Sequence, residues 1–235
     1  MNIATNSELK ELYEKAKKDV LSKAIKYNEE LRDKDKDYRA TLPLFLKSNE
    51  GYEKAEIKIM LFGQVTNGWL EIKGKDVYVE QAMKDYESCL FGYKKGTFLP
   101  GLKKFTNLLP KEKCGKKNSC LWNNIVKMGY ATRYFPDKFY DSIVKPHLNS
   151  LIIKEIEILK PNYIVLLTKL SKQYGNVLKD IFGEFEIRKH EVILPSEKIP
   201  NVKKVLITYN PSARCKKETM RDSYHKIIAE ILADE

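Results

Sequence analysis

Three short, nearly continuous apolar runs, at residues 57–62, 163–167 and 205–209, set the terms on which this chain can fold. A run of five or six apolar residues without polar alternation suits a strand covered on both faces. Such runs alternating with stretches of helical spacing specify β-α-β units and a parallel sheet. Residues 121–130 read as a further strand, interrupted by Asn123 and Asn124. Helices are predicted over 77–90, 142–160, 170–182 and 218–232, and 185–194 reads as an extra strand or hairpin arm. The Lys-, Gly- and Pro-rich stretch 92–119 reads as a long surface loop with a short helix at 102–109.

Residues 1–40 precede this pattern. Leu9, Leu12, Tyr13, Ala16, Val20, Ala24, Tyr27 and Leu31 recur at helical spacing, and Thr5 with Glu8 fits a capping box. The reading is an N-terminal helical extension over 1–40, packed by its apolar stripe on an α/β domain over 41–235. A chain of 235 residues buries an adequate core without disulfides or metals. No apolar stretch approaches the ~20 residues that cross a bilayer, and the N-terminus lacks the pattern of a secretory signal. Cys89, Cys114, Cys120 and Cys215 are irregularly spaced. The expectation is a cytoplasmic monomer with reduced thiols and no membrane partner. The pair Cys114 and Cys120 falls two ligands short of a zinc site, and His147, His190 and His225 are scattered.

Charge narrows the class of partner. The chain carries 43 Lys and Arg against 32 Asp and Glu, a net +11. Residues 94–117 hold eight Lys and one acid, and 188–217 hold eight Lys or Arg and two acids, so these two segments contain the whole excess. Surplus cations gathered in this way suit a polyanion, with nucleic acid ahead of an anionic membrane surface.

In open parallel sheets the ligand site lies outside the carboxyl ends of the strands. Three predicted strand ends carry unusual polar residues: Gly63-Gln64-Val65-Thr66-Asn67-Gly68-Trp69, Asn123-Asn124-Ile125-Val126-Lys127, and Asn210-Pro211-Ser212-Ala213-Arg214. They supply amides and hydroxyls, with no obvious nucleophile-base pair. In this order, with the segment 160–167 between the second and third, they resemble the motifs of the uracil-DNA glycosylase superfamily over about residues 55–232, with some likeness to its mismatch-specific uracil and thymine glycosylases. The resemblance implies a three-layer α/β/α sandwich around a central, mostly parallel four-stranded sheet. It also implies an enzyme that flips a damaged, mismatched or modified base from DNA and hydrolyses its N-glycosidic bond without a metal or other cofactor. The four-Cys spacing of the family's iron–sulfur branches is missing.

By that resemblance Asn124 reads the flipped base, Phe91 stacks on it, and Val65 lines the pocket where many members carry a water-positioning Asp or Asn. Asn67 is the substitute candidate for the water, with Gln64 shaping the pocket and Asn210 standing where the family commonly has His. Trp69, Tyr78 and Phe98 are rivals to Phe91. Ser212 would grip a phosphate and Arg214 would enter the duplex. Lys94, Lys95, Lys103, Lys104, Lys216 and Lys217 are candidates for backbone contacts. Asn123 should face away from Asn124, since strand side chains alternate. Two other readings stay open. One is a catalytically silent member that binds DNA or a nucleotide, motivated by Val65 and Asn210; the other is a hydrolase for small N-glycosides.

Overall fold

The computed structural model describes residues 4–31, 38–66, 69–72, 78–92, 98–114, 120–130, 137–168, 170–195, 197–213 and 217–234. Its strands are β1 (Ile59–Val65), β2 (Leu121–Val126), β3 (Tyr163–Leu167), β4 (Glu186–Arg188), β5 (Glu191–Ile193) and β6 (Lys204–Thr208). Its helices are α1 (Ala4–Glu30), α2 (Glu50–Glu53), α3 (Val79–Gly92), α4 (Phe98–Leu108), α5 (Lys111–Cys114), α6 (Asp137–Phe139), α7 (Lys145–Leu159), α8 (Lys172–Phe182) and α9 (Lys217–Ala233). A π-helical turn, Tyr140–Val144, joins α6 to α7.

The chain is α/β, with one mixed six-stranded sheet in the order β2-β1-β3-β6-β5-β4. Neighbouring strands from β2 through β1 and β3 to β6 pair parallel, while β5 and β4 continue the sheet antiparallel. The expected four strands therefore become six. The additional hairpin escaped a firm reading because its strands have three residues each and β4 is exposed along its length. That leaves no apolar alternation to separate it from a loop.

From β1 the chain moves to β2 on one side, then returns to β3 on the other, which puts a topological switch point between β1 and β3. Register there is set at the opposite strand ends. Helix α7 ends at Leu159: Lys160 N still donates to Ile156 O, but its left-handed backbone (φ 48°) turns the chain out of the helix and Pro161 blocks continuation. Asn162 then clips β3 to β1: its N–H donates to Lys58 O at 2.8 Å, and its Oδ1 accepts from Lys58 N at 2.7 Å.

Two faces of the sheet follow from strand alternation. Asn123 on β2 reaches Glu155 of α7, while Asn124 lies on the side of Phe98 of α4. Helix α1 packs on α7, and its Leu9, Tyr13, Val20, Leu21 and Ala24 belong to the same buried core as the sheet. Thr5 and Glu8 both lie inside α1, so they do not cap its start.

The short helix expected at 102–109 is present and begins four residues earlier, at Phe98. Gly101, Leu102 and Phe105 bury one side of α4, and Pro100 sits in the first turn, where its missing N–H has no intrahelical partner to lose. Gly101 is required by close approach: a Cβ there would overlap Pro211. Among the described residues no helix is long and apolar enough to cross a membrane.

Candidate functional site

The ends of β1, β2, β3 and β6 bring parts of the three motifs together. Gly63 of β1 pairs with Asn124 of β2, and a Cβ on Gly63 would overlap Asn124 Oδ1 and lie 2.7 Å from Phe98 Cζ. Glycine is thus what lets the carboxamide and the Phe98 ring lie over β1. One helical turn along α4, Gly101 meets Pro211 of the third motif, so α4 links all three. Gln64 faces the other way and donates Nε2 to Thr168 Oγ1 at 2.9 Å, across the switch point to the end of β3. Val65 is half-buried, pairs with Val126, and would lie 2.8 Å from a Cβ on Gly129.

Asn124 is 1% exposed. Its Oδ1 accepts from Trp122 Nε1 at 3.0 Å, two residues back on the same face of β2. Indole N–H only donates, so the atom facing it must be the carboxamide oxygen, and the amide cannot be the other way round. The orientation of Trp122 is itself fixed. Strand β2 is an edge of the sheet, and the Tyr86 hydroxyl takes the place of a missing neighbour, accepting from Trp122 N and donating to Trp122 O, both at 2.9 Å. Burial pushes the Tyr86 phenol well above its usual pKa, which keeps that donor proton in place.

The consequence is an unpaired donor. Asn124 Nδ2 is buried and has no hydrogen-bond partner among the described residues. Trp69 Nε1 is in the same condition, and its ring meets Trp122 edge-on at 5.8 Å. Phe98 tilts against the other side at 5.6 Å. Each such group costs about 1–3 kcal/mol when left unsatisfied, and buried donors without partners are rare enough to require a reason. Two of them lie around one indole, one beside Gly63 on β2 and one in the segment after β1, and a ligand there would supply the missing acceptors.

Asn123 has the opposite character. Its Nδ2 donates to Glu155 Oε2 at 2.8 Å, and its Oδ1 accepts from Lys127 Nζ at 3.0 Å and from Asn124 N at 2.8 Å. Lys127 and Glu155 are both fully buried and 2.7 Å apart. Tyr13 from α1 adds a 2.7 Å hydrogen bond to Glu155 Oε1. Burial lowers the Lys127 pKa and the Glu155 carboxylate opposes that shift, while burial and Glu155 together raise the Tyr13 phenol. Lys127, the last residue of the second motif, is thereby a core residue.

At the third motif, Asn210 Oδ1 accepts from Ser212 N at 2.7 Å, and Ala213 N donates to Asn210 O at 2.8 Å. This is an Asx turn, so the Asn210 oxygen holds its own loop. Ser212 is exposed beyond it. Asn67, Lys94, Lys95, Arg214 and Lys216, together with the side chains of Phe91 and Lys217, lie outside the described residues. Of the rival aromatics, Phe98 is the ring placed against Asn124, whereas Tyr78 is 73% exposed. Trp122, Tyr86 and Thr168 were not singled out by the sequence; two aromatics and a Thr near strand ends give no signal until register places them.

The basic segments do not both lie at the carboxyl ends of the parallel strands. Lys203 and Lys204 sit at the start of β6, and Lys204 is paired with Asp234. At ~3.3 Å per residue, that is about 20 Å from Asn210. Lys113 also lies at the far end, where its carbonyl accepts from Ile57 N. Lys189, in the β4–β5 turn, lies near the carboxyl end of β6, since its neighbour His190 accepts from Ile207 N at 2.7 Å. Among the described residues no group of three His, Cys, Asp or Glu is placed to hold a metal. Burial and Cys114 push the Cys120 thiol up, away from the thiolate that a metal or a nucleophile needs. A scan against protein-family models gives no match, and a search of curated proteins gives none.

Proposed function

We propose that the protein is a DNA glycosylase that flips a damaged, mismatched or modified base and hydrolyses its N-glycosidic bond. One observation carries the reading: the buried Asn124 carboxamide, its oxygen fixed over Gly63 by Trp122, keeps an N–H pair with no partner among the described residues, near the carboxyl ends of parallel strands. In this reading β2-β1-β3-β6 form the four-stranded parallel core of a three-layer glycosylase-like sandwich, and Phe98 is the ring against which the extruded base packs. Enzymes that act on a base inside a duplex must take it out of the stack and hold its pairing edge with fixed hydrogen bonds.

The chemistry needs little from the protein beyond placement. As the bond from C1′ to the base nitrogen breaks, its electron pair leaves with the base and the sugar becomes cationic. A fixed N–H donor against an acceptor of the departing base stabilises the charge that develops there. A water oxygen then bonds to C1′ and its proton passes to the base or to solvent. Removing one such donor typically lowers the rate about 10²- to 10³-fold.

Duplexes and single strands carrying a panel of damaged, mismatched and modified bases, treated with alkali after incubation, test the proposal. Strand breaks at one kind of base, reduced about 10²-fold or more by Asn124→Ala, are expected. No abasic site with any base would overturn the enzymatic reading. A silent DNA- or nucleotide-binding protein is the second reading, favoured by the apolar Val65 and by the Asn210 oxygen closing its own turn. It gives salt-sensitive binding with no base release above that of Asn124→Ala.

A further inference from the structure

We propose that Trp122 sets which bases this site accepts. By holding Asn124 Oδ1 toward its own N–H and down on Gly63, it leaves the N–H edge of the carboxamide as the part a base meets. The site then selects a base whose pairing edge carries an acceptor ring nitrogen beside a carbonyl, as cytosine and its 5-substituted forms do, over the imide edge of uracil or thymine. The inference rests on the base-binding reading of the same crevice.

A free carboxamide offers a donor and an acceptor in one plane, and by rotating it can match either kind of edge. Asn124 has lost that choice. Its oxygen is 3.0 Å from an indole N–H that can only donate, and turning the amide over would set N–H against N–H. Trp122 cannot easily swing aside, because the Tyr86 hydroxyl holds both polar groups of its backbone and the Tyr86 ring stacks on its own at 6.3 Å. The second unpartnered polar atom in the cluster, Trp69 Nε1, is again donor only. Two donors facing a ligand call for acceptors. Cytosine's N3 and O2 are both acceptors, and the two hydrogens on Asn124 Nδ2 suit such a pair. Uracil and thymine present N3–H between their carbonyls, and the Asn124 oxygen that would receive it is turned to Trp122 and packed on Gly63, where a Cβ would overlap it. A site that leaves one buried polar group unpaired discriminates by tenfold or more.

Trp122 acts here as a positioning residue, so the readout is a ratio between bases and not an overall affinity. Duplexes carrying a single central cytosine, 5-methylcytosine, uracil or thymine on a 2′-fluorinated sugar, which resists loss of the base, are bound at fixed salt and read by fluorescence anisotropy. The wild-type protein is expected to bind the cytosine-type duplexes at least tenfold more tightly, a difference abolished by Asn124→Ala. Trp122→Phe frees the Asn124 oxygen and should bring the ratio close to one. Asn124→Asp keeps the acceptor toward Trp122 and replaces the donor with a second acceptor, which should turn the preference toward the imide bases. The wild-type panel decides the matter even if a variant folds poorly. Base-dependent binding that favours uracil or thymine, or a ratio unchanged in folded Trp122→Phe, overturns this inference and leaves the base-flipping reading standing. Binding that ignores the base altogether overturns both.

Discussion

Replacing Lys127 with Met should unfold this protein more readily than almost any other single change. Lys127 Nζ lies 2.7 Å and 2.9 Å from the two carboxylate oxygens of Glu155 and 3.0 Å from Asn123 Oδ1, with neither charged side chain exposed. Methionine nearly matches the volume, so packing changes little. What changes is that the buried Glu155 carboxyl loses the cation opposite it and is left with two neutral donors, Tyr13 and Asn123. Breaking a buried pair from one side costs about 3–5 kcal/mol, against a total stability that is usually about 5–15 kcal/mol. With a urea slope of about 2–3 kcal/mol/M, the midpoint should fall by about 1–2 M. Lys127→Met with Glu155→Gln removes both charges and leaves a neutral acceptor for Tyr13, so the double variant should recover about 1–3 kcal/mol of the loss. Circular dichroism during urea unfolding measures all three proteins. A loss below about 1 kcal/mol for Lys127→Met, or a double variant less stable than the single one, would refute the reasoning.

Three further outcomes follow from the same geometry. Gly63→Ala places a methyl where Asn124 Oδ1 lies and 2.7 Å from Phe98 Cζ, and should cost about 1–3 kcal/mol in thermal unfolding while weakening base-dependent binding. His147, on α7, has a pKa held below 6.5 by burial and by Lys23 of α1, with Asp19 opposing. A base with a depressed folded pKa binds fewer protons folded than unfolded, so stability should fall as pH drops below about 6.5, and His147→Gln should flatten that slope between pH 5 and 7.5. If DNA lies over the carboxyl ends of the strands, Lys189→Gln should reduce the slope of log K against log salt by about 0.9, as for one lost phosphate contact. Lys203→Gln, at the far end of β6, should leave that slope unchanged.

The alternation of buried runs and amphipathic segments was enough to read an α/β sheet, because strands flanked on both sides cannot hide their apolar continuity. The hairpin of β4 and β5 was legible only as an extra strand or hairpin arm over 185–194, since exposed β4 has no core to record and β5 buries only Val192. Helix α4 was legible only in part, as a short helix at 102–109. Its lysines point to a loop, and only the spacing of Leu102 and Phe105 betrays the face that packs between Asn124 and Pro211. At the site, the order of the motifs drew attention to Asn124 and Gly63, but not to the Trp122 contact that fixes the carboxamide. That contact depends on two side chains two residues apart sharing a strand face, and no residue-by-residue reading says whether they touch. Charge misled most where chain neighbours part in space: residues 203 and 210 share one basic segment, yet a five-residue strand places them at opposite ends of the sheet.

Two consecutive amides in a fully buried six-residue strand are expensive to bury unless each has a use. Asn123 meets that condition through Glu155, Lys127 and the Asn124 backbone, and these bonds tie β2 to α7 and, through Tyr13, to α1. A strand held this firmly gives its next side chain little freedom. Asn124 therefore inherits a fixed backbone from one face and a fixed oxygen from Trp122 on the other, so its N–H pair is positioned before any ligand arrives. Stability alone gives no reason to keep it: an apolar residue of similar size would remove an orphaned donor worth about 1–3 kcal/mol of penalty. Preorganised donors are what a site needs when charge develops on a departing group, because nothing has to reorient at the moment of reaction. In the proposed site the polar network beneath thus supplies the rigidity with which the Asn124 N–H pair above is held.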